Sequence, residues 1–254
     1  MKVLKIRYHD SCAAELPWRC APASLEYVTT VSSPHFPVMG INDVVEADED
    51  TVYVTQWKVF GFPAGGQRNP SSYLDVVKMI ADIPIAILSL KFTRVFHCSI
   101  SSSVCEVATD QKFVGANGIT ISGDRGQVFV NDPTEKAITV FNVDQKNHKL
   151  SKDSVIKLPL NADNIEYDDA TGEIVIGTIP CLMTAIRKSM DPDSVAGVPG
   201  GMAVASRRGS GWVVRDILEH DGLKVKCLGV LSHLTFGNIC SCPKYPRRPG
   251  GAPR

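Results

Sequence analysis

The chain has 254 residues, 44% of them apolar and 21% charged, a balance that excludes bulk disorder and allows a sizeable core. Its 27 Lys and Arg are matched by 27 Asp and Glu, so it lacks the basic footprint of a nucleic-acid binder. Partners must be sought in particular sites, not in bulk charge.

Residues 1–10 alternate apolar and polar side chains and have no apolar run followed by small residues. They read as a strand that begins abruptly, with no signal peptide in this chain. Most of the remaining chain reads as short strands bounded by Asp, Gly, Asn and Pro turn signals, as in residues 51–55, 127–130, 137–141 and 173–177. No regular alternation with long amphipathic helices appears, so the predicted fold class is all-β.

The first strongly patterned segment, residues 41–54, starts with Asn42-Asp43, passes through an acidic turn and ends in a hydrophobic strand. An insertion comes next, over about 62–96. Ser71 or Ser72 can cap a helix there, and Tyr73, Val76, Val77 and Ile80 share its i, i+3, i+4, i+7 face. Residues 79–90 are too short, and too interrupted by Asp82 and Pro84, to cross a bilayer. Two readings of this element stay open: it packs on the rim of the fold, or residues 71–96 dip into a membrane surface.

The pattern of residues 41–54 recurs twice, at 116–130 with Asn117 and at 163–176 with Asp163-Asn164. The spacing between Asn117 and Asn164 is close to one four-stranded propeller blade of about 40–50 residues, and the insertion accounts for the longer first interval. Residues 197–205 and 211–219 still read as blade strands. The predicted propeller domain runs over 1–242, and the Pro/Gly-rich basic end, 243–254, reads as a disordered tail.

Eight cysteines at irregular spacing include no CxxC, which argues against a zinc site. Most read as buried small hydrophobes, and they leave the compartment open.

Equivalent positions of successive blades converge on a propeller's central channel. Asn42, Asp43, Asn117, Asp163 and Asn164 then present only oxygen donors to one place, a chemistry suited to a hard cation and to Ca²⁺ above all. The alternative is that each starts its strand with an Asx-turn.

The segments around Asn42-Asp43, Asn117-Gly118 and Asp163-Asn164, in this order and with a helical insertion between the first two, resemble the calcium-site motifs of the paraoxonase/arylesterase family. The resemblance runs from about residue 25 to 180, and weakly to 220. It implies a six-bladed β-propeller holding two calcium ions. Asn42, Asn117, Asp163 and Asn164 match ligands of the catalytic ion, and Asp43 matches a ligand of the structural ion. The implied activity is calcium-dependent hydrolysis of carboxylic esters, arylesterase or lactonase and in some members phosphotriesterase, with the ion polarising the substrate oxygen for attack by water.

Six blades and an insertion need more than 254 residues, so four to five blades are expected here, the shortage falling at the N-terminus. The histidine pair that the family is proposed to use for activating water, and one acidic ligand, then have no counterpart, and no catalytic residue is assigned. Pocket histidines of some members fall near Lys58 and Ile179. The family's closing disulfide lacks its upstream cysteine, although Cys12 or Cys20 could pair with Cys240 or Cys242. Two other readings are a non-catalytic propeller module binding a partner or membrane surface, and a gluconolactonase-type sugar lactonase. An upstream signal segment, if one exists, would make the protein extracellular or endomembrane-associated.

Overall fold

The computed structural model describes residues 2–8, 22–31, 40–59, 77, 81, 84–85, 88–179, 200–220 and 225–227. These residues are all-β apart from isolated helical positions at 77, 81 and 84–85. Most of the predicted insertion, the tail and Cys12, Cys20, Cys181, Cys240 and Cys242 lie outside the described residues.

Strands β1 (Lys2–Tyr8) and β2 (Pro22–Thr30) form an antiparallel pair. The first blade-like sheet contains β3 (Ile41–Glu46), β4 (Thr51–Gln56), β5 (Val95–Ser99) and β6 (Val104–Val107). A second contains β7 (Ile119–Ile121), β8 (Gln127–Asp132), β9 (Ala137–Val143) and β10 (Leu150–Lys157). The third has five strands: β11 (Asn161–Asp168), β12 (Glu173–Ile179), β13 (Gly200–Arg208), β14 (Gly211–His220) and β15 (Val225–Cys227). Every sheet is an antiparallel meander in chain order. Their first strands lie beside one another, β3 against β7 and β7 against β11. This is blade packing of a β-propeller, and the described sheets do not close into a ring.

The acidic turns of the sequence repeat have a local cause. Asp48 accepts the amides of Asp50 and Thr51, Asp124 accepts that of Gly126, and Asp168 accepts that of Ala170. Each carboxylate thus replaces missing main-chain partners inside a tight turn. In the last of these turns Gly172 takes φ +69°, a left-handed conformation that glycine adopts without strain.

Side chains alternate between the two faces of each blade, so the middle blade feeds two cores. Val128, Val130 and Phe141 pack with Tyr53 and Val95 of the first blade and with Phe113 of the β6–β7 connection. Phe129, Ile138 and Val140 pack with Ile165, Ile174 and Ile176 of the third. Between the first two blades, Leu150 N–H donates to Ala108 C=O and the Tyr53 hydroxyl to His148 C=O, at 2.8 and 3.1 Å.

Most cysteines are expected to be buried small hydrophobes, and two of the described ones are buried and also bonded to each other. Cys98 and Cys105 face each other across β5 and β6 and form a disulfide, both fully buried. The signal was hidden because the pair depends on strand register, not on a recognisable spacing. Cys227 lies in β15.

His97, on β5, and His148, in the β9–β10 turn, lie between the same two blades with ring centroids 6.3 Å apart and planes tilted by 35°. Burial, then the Lys149 charge, hold His97 below the ordinary histidine pKa; Glu106 opposes this and His148 adds to it. Below about 6.5 the unfolded chain therefore binds more protons at this residue than the folded one, and stability falls as pH drops through that region. Urea midpoints at pH 7.5 and 5.5 should differ less for His97→Gln than for the unsubstituted chain. An unchanged difference would show that His97 does not set this pH dependence.

Candidate functional site

The three sequence motifs share a structural device. At the entrance of each blade two residues of the first strand oppose one residue of the second, which is a β-bulge. Asn42 and Asp43 lie in the register shift between Ile41 and Val44, opposite Thr55. Asn117 donates its amide to Asn131 C=O, and Asn131 donates its own to Gly118 C=O, so Asn117 and Gly118 share one partner. Asp163 and Asn164 lie in the shift between Ala162 and Ile165, opposite Gly177. A bulge interrupts strict alternation and re-aims side chains, which is what a convergent site requires.

The bulges are tied together from blade to blade. The Thr55 hydroxyl donates to Asn117 C=O at 2.5 Å, and Asn131 Nδ2–H donates to Asp163 C=O at 2.6 Å. Asp43 Oδ2 accepts the Ile119 amide at 3.0 Å while its Oδ1 accepts that of Val44 at 2.8 Å. Gly118 N–H reaches Asp163 C=O at 3.2 Å. This approach needs glycine, because a Cβ at position 118 would lie 2.8 Å from Asp163 O and 2.9 Å from Asn164 Cα.

Asn117 is held from behind as well. Asp132, itself buried, accepts the amides of Val114 and Gly115 at 2.9 and 3.4 Å, and Thr93 Oγ1 accepts that of Ala116 at 3.1 Å. Burial raises the Asp132 carboxyl above the ordinary aspartate pKa, and these amide bonds counter it.

The sequence-derived residues come together in part. Asn117 Nδ2–H donates to Asp163 Oδ1 at 3.0 Å, which joins the second and third motifs directly. Asp43 joins through the Ile119 amide. Asn42 and Asn164 are solvent-exposed members of their bulges, and Asp163 is half-buried. Sequence reading missed Thr55 and Asn131, both fully buried. The available signal was a polar residue ending an otherwise apolar strand, as in residues 51–56 and 127–132.

Two acceptors at this place have no hydrogen-bond partner, Asn117 Oδ1 and Asn131 Oδ1. Buried polar atoms are paired in the great majority of cases, so two orphaned oxygens on residues that both bond Asp163 stand out. Nearby, partial burial raises the Glu166 carboxyl above the ordinary glutamate pKa, and the charges of Asp43 and Asp169 add to the shift. The charges acting on Glu166 are thus both negative. Among the described residues no three His, Cys, Asp or Glu side chains gather to hold a metal, and the oxygens here come chiefly from amides.

The family model for arylesterases matches residues 19–197. The chain belongs to the arylesterase family. Within it, the chain is 32% identical to serum paraoxonase/lactonase 3 of Homo sapiens over 157 residues, covering 62% of this chain and 38% of that protein. The Rattus norvegicus protein of the same name is 32% identical over 171 residues, with coverages of 67% and 42%. Serum paraoxonase/arylesterase 2 of Bos taurus is 27% identical over 157 residues. The chain thus spans about two fifths of the length of these relatives. Among solved structures, a gluconolactonase from Xanthomonas campestris is 14% identical with a TM-score of 0.47, covering 80% of this chain and 55% of that one.

For this arylesterase-family chain the described histidines are His97 on β5, His148 in the β9–β10 turn and His220 at the end of β14, opposite Gly200. At the two positions suggested for pocket histidines, Lys58 sits over the Trp57 ring at 4.9 Å and Ile179 ends β12. In the insertion, Leu88 and Phe92 are well exposed, and no described helix is long and apolar enough to cross a membrane.

Proposed function

We propose that the bulge cluster binds a calcium ion and that the chain carries the metal-holding part of a carboxylic-ester hydrolase acting on aryl esters or lactones. The observation that carries this reading is the orphaned Asn117 Oδ1 beside Asp163, a buried hard oxygen next to a carboxylate, which fits the donor chemistry of Ca²⁺.

Asn117 and Asp163 would hold the ion from the second and third blades, with Asn42 and Asn164 at the exposed side of their bulges supplying further oxygens. Asp43 matches the family's second, structural site, and here its carboxylate also fixes the first blade to the second. When bound, the ion would polarise a substrate carbonyl and stabilise the charge developing on its oxygen. The protein's own part is preorganisation. Thr55 sets the Asn117 main chain, the Asp132 and Thr93 bonds hold the 113–116 approach, and the Gly118 contact fixes how near Asp163 stands. A cage spread over three blades places its donors through the packing of sheets and keeps the exposed side open to a small ester.

Calorimetric titration of Ca²⁺ should show binding that Asn117→Ala and Asp163→Ala each weaken by about tenfold or more, given how strongly calcium affinity follows the ligand set. Hydrolysis of phenyl acetate or a γ-lactone should be lost in EGTA and return with Ca²⁺. Binding indifferent to both substitutions would refute the site, and turnover unaffected by EGTA would refute the role of the ion.

A further inference from the structure

The second strand of each blade contributes one residue opposite the bulge: Thr55, Asn131 and Gly177. The first two do the same structural work, since each donates a hydrogen bond to the main-chain carbonyl of the next blade's bulge. A threonine performs it at position 55 with a single oxygen. Asparagine at position 131 performs it with Nδ2 and has an oxygen left over.

That oxygen distinguishes Asn131 from a simple staple. Its orientation is set, because the 2.6 Å bond to Asp163 C=O requires the nitrogen at that end of the amide. Asn131 is fully buried and its Oδ1 has no partner. Asn117 repeats the arrangement, with Nδ2–H on Asp163 Oδ1 and an orphaned Oδ1. The two asparagines also exchange a main-chain bond, Asn117 N–H to Asn131 C=O at 2.9 Å. Two amides therefore grip one aspartate through their nitrogens, and each keeps a free oxygen.

We infer that Asn131 is a further ligand of the bulge cation, supplied by the second strand of the middle blade through Oδ1. The inference rests on the calcium reading of the cluster. It changes the composition of the cage: the middle blade provides two neutral amide oxygens, so a larger share of the coordination is uncharged than the motif residues alone would give. Neutral oxygens suit a large cation with a flexible, high coordination number and lower the affinity that an all-carboxylate cage would reach.

The test uses Tb³⁺ in place of Ca²⁺. Its luminescence lifetimes in H₂O and D₂O count the waters on the bound ion, and calcium titration of the same proteins gives affinity. Asn131→Thr installs the side chain that does the stapling at position 55 and removes the amide oxygen. Asn131→Asp keeps an oxygen at the same reach and charges it, while losing the Nδ2–H donor to Asp163 C=O. Thermal melts without cation check that each variant is folded. If Asn131 is a ligand, Asn131→Thr adds about one water to bound Tb³⁺ and weakens Ca²⁺ by about tenfold, whereas Asn131→Asp, which keeps an oxygen donor, keeps the water count. A purely stapling role predicts an unchanged water count in Asn131→Thr.

The outcomes separate the ligand role of Asn131 from the calcium site as a whole. Binding lost in Asn117→Ala but unaltered in affinity and hydration in Asn131→Thr overturns the assignment of Asn131 and leaves the calcium site standing. No cation binding in the unsubstituted chain overturns both. Should Asn131→Thr not fold, Asn131→Ser, which also keeps a hydroxyl donor and removes the amide oxygen, decides: an unchanged water count and affinity reject the ligand role.

Discussion

Replacing Phe129 by alanine should cost about 4 kcal/mol of stability, the range found when a large aromatic is truncated in a packed core. The ring is fully buried on β8 and lies between the second and third blades. It stacks on Tyr167 with centroids 5.5 Å apart and planes inclined by 12°, and meets Trp212 edge-on at 5.8 Å. Both partners belong to the third blade, so truncation removes apolar contact from the interface that positions Asp163 against Asn117. The neighbours of Phe129 along the strand, Val128 and Val130, face the first blade and cannot swing into the space. Urea unfolding of the two proteins measures the difference. A loss below about 1 kcal/mol would mean that the blades collapse onto the cavity and that this interface is more plastic than its geometry indicates.

Gly118→Ala should cost about 3 kcal/mol, at the upper end of overpacking penalties, and should damage the proposed cation site more than its size suggests. The added methyl would stand 2.8 Å from Asp163 O, 2.9 Å from Asn164 Cα and 2.9 Å from Ile165 N. All three are backbone atoms of β11, so no side chain can turn away, and the first strands of two blades must separate. That movement opens the Asn117–Asp163 bond and the Gly118–Asp163 bond together. Gly177→Ala is the matching control, because its Cβ would lie 3.6 Å from Asn164 O, an ordinary contact. Melting temperature and calcium titration should both fall for position 118 and stay near the unsubstituted values for position 177. Equal behaviour of the two variants would rule out a close approach at position 118 as the cause.

Much of the blade pattern was legible in the residues. The hairpins at 41–54, 116–130 and 163–176 appear where the repeat put them, because an acidic Asx-turn followed by β-branched residues is a local signal that needs no tertiary help. Strands β5, β6 and β10 are weaker in sequence. The Ser101–Ser103 turn carries no strong turn glycine, and β10 is an outer strand with much of its length exposed, so neither a clean alternation nor an apolar run marks them. The Cys98–Cys105 bridge was invisible for a related reason: it depends on the β5–β6 register, which no spacing rule encodes.

The candidate site divides in the same way. The repeat pointed to Asn42, Asp43, Asn117, Asp163 and Asn164, each at a blade entrance. By themselves these residues determined an all-β, blade-forming chain with polar residues at equivalent positions, since strand period, turn chemistry and repeat length are all written locally. Which of them meet was decided by the tertiary structure. Asn117 reaches Asp163 across 46 residues of sequence, and Thr55 reaches Asn117 across 62. The first bond spans two bulges directly, and the second exists because Thr55, like Asn131, opposes its own bulge and turns a donor toward the next blade. The same packing buries Asn131 and leaves its oxygen unpaired, and no local pattern could carry that information, because an amide becomes an orphan only when other strands remove its water.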